Sequence, residues 1–169
     1  MNDVTAVPTL DLDRYLGRWY EICRLPLKYE DETATDITAT YSLNENGKVR
    51  VDNRCFNAEN EPTQALGEAS PVDDTNAKLK VSFLPKGLRW IPFTEGDYWV
   101  LKIDPDYQVS LVGTPDRKFL WVLARSPDLP QSTRDEYLDE ARRQGFDLSQ
   151  LIAPKHTGRE VTNSMLEAH

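Results

Sequence analysis

Gly17-Arg18-Trp19-Tyr20 stands between a polar lead-in and the first strand-like run of the chain. A glycine that lets the backbone turn tightly, followed by a large aromatic, suits the place where a sheet begins and its base must be plugged. Taken alone, the tetrapeptide reads equally well as an ordinary glycine before an ordinary core tryptophan. The residues downstream decide the matter. From here the chain reads as eight short strand-like segments separated by turn residues, then one capped helix near the C-terminus.

The first segment runs from about Trp19 to Leu25 and ends before Pro26, and Lys28-Tyr29-Glu30-Asp31-Glu32 after it reads as a charged loop. In the second, Ile37, Ala39, Tyr41 and Leu43 alternate with Thr38, Thr40 and Ser42, the period of a half-buried strand. Asn44-Glu45-Asn46-Gly47 is a hairpin turn in which Gly47 takes positive φ. The third segment sets Val49, Val51, Asn53 and Cys55 against Arg50, Asp52 and Arg54. The fourth, about Thr63 to Ala69, carries the small residues Ala65, Gly67 and Ala69 on one face. The fifth sets Leu79, Val81 and Phe83 against Lys78, Lys80 and Ser82. The sixth (Tyr98 to Ile103), seventh (Tyr107 to Gly113) and eighth (Lys118 to Arg125) are divided by Asp104-Pro105-Asp106 and Thr114-Pro115-Asp116-Arg117.

The period then changes to that of a helix over 133–144. Ser132 is the expected N-cap, with Asp135 and Glu136 in the first turn. Tyr137, Leu138 and Ala141 form its apolar stripe, and Gly145-Phe146 its C-terminal stop. Leu151-Ile152 is a candidate for a short last strand. Residues 1–13 read as an extended or loosely helical lead-in, and 155–169 as a mobile tail.

Sequential strands with short links and no room for crossover helices predict an antiparallel meander. Closing such a sheet on itself removes its edges. The expected fold class is therefore all-β: an eight-stranded antiparallel up-and-down calyx barrel with one C-terminal α-helix packed outside. Eight strands leave an interior that side chains fill or that holds one small ligand. The inward candidates mix small Ala39, Ala65 and Gly67 with larger Tyr41, Phe83 and Trp121, which argues for a cavity over a filled core. The sixth to eighth strands are apolar on both faces, so both faces are covered, the outer one by the helix.

The chain has 169 residues, 39% of them hydrophobic, and reads as a single domain over 1–169. A net charge of −8 excludes nucleic acid as an expected partner. The N-terminal residues Met1 to Leu10 show no basic and apolar pattern of a signal peptide, and no cysteine precedes Cys23 to carry a lipid. Cys23 and Cys55 make no metal-ligand pattern, and no cofactor is expected. With a strand between them they lie about 9.5 Å apart, beyond the ~7 Å reach of a disulfide.

On these residues the chain resembles the lipocalins, over roughly 10–153. Within that family it is similar to the bacterial branch that groups with apolipoprotein D and the plant temperature-induced lipocalins. The first family motif corresponds to Gly17-Arg18-Trp19-Tyr20, the second to Asp104-Pro105-Asp106-Tyr107, and the third to Arg125. The resemblance implies that these meet at the closed end of the barrel, with Arg125 packed across Trp19. Gly17, Trp19, Asp106, Tyr107 and Arg125 are then structural residues. It also places the link between the fifth and sixth strands, 85–96, at the open mouth. There Leu88, Trp90, Ile91 and Phe93 either fold back onto the barrel, or form a flap over ligand, or present an apolar patch to a second subunit (a homodimer) or a membrane surface.

The resemblance implies a carrier or scavenger of a lipophilic small molecule, a fatty acid or lysophospholipid, with a role in membrane-lipid maintenance or stress protection. The expected ligand-binding residues are Ala39, Tyr41, Val51, Asn53, Cys55, Val81, Phe83, Trp90, Trp121 and Leu123, with Asn53 as the polar contact. If Trp19 points inward, so do Glu21 and Cys23, and Lys102 is a candidate partner for the Glu21 carboxylate. The rival classes are an isomerase-like enzyme and an interaction module with a filled barrel. Catalysis is disfavoured because no histidine falls in the strands to serve a cysteine nucleophile.

Overall fold

The computed structural model describes residues 2–26, 33–83 and 95–168. Its strands are β1 (Gly17–Arg24), β2 (Thr35–Leu43), β3 (Val49–Phe56), β4 (Pro62–Pro71), β5 (Lys78–Phe83), β6 (Glu95–Ile103), β7 (Val109–Gly113) and β8 (Leu120–Ala124). Each pairs antiparallel with the next, and β8 pairs back onto β1, so the sheet closes as a barrel. The predicted turn at 44–47 is present: Gly47 has φ of 82° and its N–H donates to the Asn44 carbonyl at 3.0 Å. Asp104 closes the β6–β7 turn by accepting from the N–H groups of Gln108 and Val109, both at 2.7 Å.

The barrel separates two apolar cores. Inside lie Trp19, Tyr41, Val51, Leu79, Val81, Val100, Val112 and Leu123. Outside, helix α2 (Gln131–Arg143) lies over β7 and β8, where its Tyr137, Leu138 and Ala141 pack on Leu101, Leu111, Leu120 and Val122. This explains why β6 to β8 are apolar on both faces. Each fully buried aliphatic or aromatic side chain contributes about 1.5–3 kcal/mol.

The helix stops as the sequence predicts. Gly145, with φ of 92°, donates to the Arg142 carbonyl and Phe146 to that of Ala141, at 2.9 and 3.1 Å. The Phe146 ring then lies where a Cβ on Gly113 would come within 2.8 Å of it, so a side chain there would have to push the ring aside. The start differs from expectation. Pro130, not Ser132, occupies the N-cap and makes no side-chain cap bond. Its carbonyl accepts from Arg134 N–H at 3.0 Å, so the first turn closes two residues earlier, and Asp135 and Glu136 fall in the second turn.

Two bulges redirect side chains. The β1–β8 register shifts between Glu21 and Cys23. Ile22 and Cys23 therefore both join the outer core, and Cys23 does not point into the barrel as simple alternation requires. The β6–β7 register shifts between Val100 and Lys102. Lys102 thus faces the helix, with its ammonium 5.1 Å from the Tyr137 ring centre.

Two shorter helices add to the expected one. α1 (Leu12–Tyr15), capped by the Asp11 side chain, lies just before β1. α3 (Asn163–Glu167) belongs to a C-terminal segment that packs on the barrel, in contrast to the mobile tail expected for 155–169. Asp36 N–H donates to the Lys155 carbonyl at 2.9 Å, and its carboxylate accepts from Thr157 N–H at 2.7 Å. Arg159 covers the Phe56 ring at 4.1 Å, Arg54 donates to the Val161 carbonyl at 3.0 Å, and the Val161 side chain is buried. Ile152 bridges to Arg24, as the short last strand predicted.

Candidate functional site

The opening tetrapeptide builds one end of the barrel. Gly17 takes φ of 102°, which a side chain would strain, and its missing Cβ would lie 3.3 Å from the Arg125 guanidinium. Trp19 is fully buried and donates its indole N–H to the Tyr15 carbonyl at 2.9 Å. Arg125 lies over the Trp19 ring at 3.7 Å and donates to the carbonyls of Tyr107, Arg18 and Arg14 at 3.1, 3.0 and 2.9 Å. One guanidinium fork thus ties together the lead-in, β1 and the β6–β7 turn. Tyr107 returns a bond by accepting Asp11 N–H on its hydroxyl at 2.8 Å. Asp106 is exposed and contributes only its backbone carbonyl, to Gln108; the carboxylate that organises this turn belongs to Asp104.

Above this base the barrel encloses a cavity of about 110 Å³ with a strongly apolar wall. Eight residues picked from strand alternation line it: Ala39, Tyr41, Val51, Asn53, Val81, Phe83, Trp121 and Leu123. Cys55 does not. It lies in a separate buried cluster with Ala34 and Ile37, its thiol 3.1 Å from the Thr63 hydroxyl, because β3 carries it past the cavity. Trp90 and nearly all of the 85–96 link fall outside the described residues; Glu95 and Gly96 open β6.

The small residues divide in function. Ala39 and Ala69 face the cavity. Gly67 instead makes room for its neighbour strand: a Cβ there would sit 2.6 Å from the Ser82 carbonyl and 3.0 Å from the Phe83 ring.

Four polar groups of the wall matter chemically. Glu21 faces inward, as expected, but its partner is Arg24 at 3.0 Å and not Lys102, which the β6 bulge has turned outward. Burial raises the Glu21 carboxyl above the ordinary range, against the opposing pull of Arg24. The other three are phenols. Tyr15 and Tyr98 join their hydroxyls at 2.8 Å, Tyr98 and Tyr41 at 2.9 Å, and Tyr15 reaches Ser110 on β7 at 2.8 Å. Burial pushes the Tyr15 phenol up to about 12 and raises those of Tyr41 and Tyr98, so all three stay neutral. Strand alternation singles out only Tyr41 of this group. Tyr15 precedes the first strand, and Tyr98 belongs to a strand apolar on both faces, where alternation is silent.

A closed antiparallel barrel, plugged at one end and hollow above the plug, defines a calyx protein. A family model for a lipocalin-like domain matches residues 10–156, and the chain belongs to the lipocalin family, whose members bind small hydrophobic ligands. It is 38% identical over 151 residues to temperature-induced lipocalin-1 of Arabidopsis thaliana, covering 88% of this chain and 81% of that one. It is 39% identical over 157 residues to the outer membrane lipoprotein Blc of Citrobacter freundii, covering 92% and 84%. Among solved structures, apocrustacyanin C1 shares the fold with a TM-score of 0.70 at 10% identity, over 94% of this chain and 86% of that one.

Proposed function

We propose that this protein carries or scavenges a lipophilic small molecule of the fatty-acid or lysophospholipid class, in the maintenance of membrane lipids or under stress. The observation that carries the reading is the apolar cavity bounded by Ala39, Val51, Val81, Trp121 and Leu123. An acyl chain entering it exchanges water for hydrocarbon contacts, at up to about 0.8 kcal/mol per buried methylene. Ala39, Tyr41, Val51, Asn53, Val81, Phe83, Trp121 and Leu123 are the proposed contacts. The names of the relatives support the biological half of the reading, since one is temperature-induced and another an outer membrane lipoprotein.

The test is displacement of an environment-sensitive fatty-acid probe, read by energy transfer from the protein's tryptophans, of which Trp121 lines the cavity. Oleate or lysophospholipid should displace it, and affinity should climb with chain length until the chain outgrows the cavity. Absence of displacement at saturating lipid, with the barrel intact by circular dichroism, would leave the filled-barrel interaction module as the better account.

A further inference from the structure

The cavity wall is apolar nearly everywhere, yet three phenols converge on it from α1, β2 and β6. Tyr15, Tyr41 and Tyr98 sit with the ring of Trp19, 4.9 Å from Tyr15, at the plugged end. With Ser110 their hydroxyls form one chain, Ser110–Tyr15–Tyr98–Tyr41, joined by three hydrogen bonds. Four hydroxyls carry four protons and three bonds use three, so one O–H points out of the chain.

Its direction follows from burial. Ser110 is fully buried and does not line the cavity, whereas Tyr15, Tyr41 and Tyr98 all do. A proton left on Ser110 would lie in the packed wall, where a donor without an acceptor is costly. The stable arrangements therefore deliver the spare donor to the cavity floor, through Tyr41 when every bond runs from Ser110 outward. These phenols remain neutral donors, because burial holds them well above physiological pH. Desolvation disfavours an anion at this depth.

We propose that the floor of the cavity is a hydrogen-bonding subsite that selects lipophiles bearing a neutral oxygen, a hydroxyl or carbonyl, on the end that enters first. This rests on the ligand-carrying reading and narrows it to terminally oxygenated chains. Tyr41 and Tyr98 make the contact, and Tyr15 with Ser110 orient it.

The experiment compares a saturated fatty acid, at the chain length that binds best, with its ω-hydroxy analogue, by displacement of the same probe. The wild-type protein should bind the ω-hydroxy acid as tightly as the parent acid or tighter. In Tyr41→Phe or Tyr98→Phe the affinity for the ω-hydroxy acid relative to that for the parent should fall tenfold or more. A purely structural role for the phenols would move both ligands together. The proposal is overturned if the wild type binds the ω-hydroxy acid more weakly than the parent, or if its preference survives in both variants. Binding of the parent alone refutes the floor subsite and leaves the carrier reading standing; binding of neither refutes both.

Discussion

Ala39→Phe separates a hollow barrel from a filled one, because the two predict opposite outcomes. Ala39 faces the cavity and stands in register between Trp19 of β1 and Asn53 of β3. Residual cavity space costs roughly 24 cal/mol per Å³ in protein cores. The whole 110 Å³ thus corresponds to at most about 2.6 kcal/mol. A benzyl group fills part of that space, and imperfect fit returns some strain. Stability should therefore stay level or rise by up to ~2 kcal/mol, an increase in Tm of no more than about 8 °C for a chain of this size. The same ring displaces acyl-chain contacts worth about 0.8 kcal/mol per methylene, so losing two already weakens binding more than tenfold. Thermal unfolding by circular dichroism and titration with oleate measure the two effects on one sample. Unchanged oleate affinity would show that the ligand does not use this cavity. A stability loss of several kcal/mol would show that the space is not there to fill.

Arg125→Lys keeps the charge but cannot hold three carbonyls and the Trp19 face at once; urea unfolding should show a loss of about 2–4 kcal/mol, with lipid affinity changed less than threefold. Burial beneath α2 pushes the Cys23 thiol up to about 12, so at pH 8 it should resist a disulfide reagent in the native protein and react once unfolded. Rapid native labelling of Cys23, located by peptide mapping, would contradict the β1 bulge. Glu21 has a folded carboxyl raised above its unfolded value near 4.3, so the folded state holds that proton more tightly. The stability linked to it is full below about pH 4.3 and declines as pH rises through the folded value. Glu21→Gln should flatten that decline in unfolding midpoints measured from pH 4 to 8, and parallel profiles for the two proteins would refute the assignment.

Strand alternation places the lining residues of β2, β3 and β5 because those strands are polar on one face and regular where they line the cavity, the β2–β3 register shifting only between Thr35 and Thr38. It fails where a bulge inserts a residue. Past Glu21 the inward side passes from Cys23 to Arg24, and past Val100 Lys102 turns to the helix, as the shifted registers show. A bulge leaves no local signature in residue type, so both errors follow from one physical cause. Cys55 falls outside the lining, since alternation gives direction and not depth along the barrel. The segment 155–168 looked detachable because its residues are polar. Its partners, such as Asp36 for Thr157 and Arg54 for Val161, lie more than 100 positions away. The tyrosine floor was hidden likewise, since it draws its hydroxyls from α1, β2, β6 and β7.

Closure of β1 onto β8 has a consequence for how the chain is made. Tyr20 pairs with Ala124, 104 residues later. At the usual ~5–20 residues per second of synthesis, β1 waits on the order of 5–20 s with one edge open to foreign strands. Until β8 arrives, Trp121 and Leu123 are missing from the wall, and the calyx is an open sheet. The nascent protein therefore has no compartment for a small hydrophobic ligand, and loading belongs to the finished molecule.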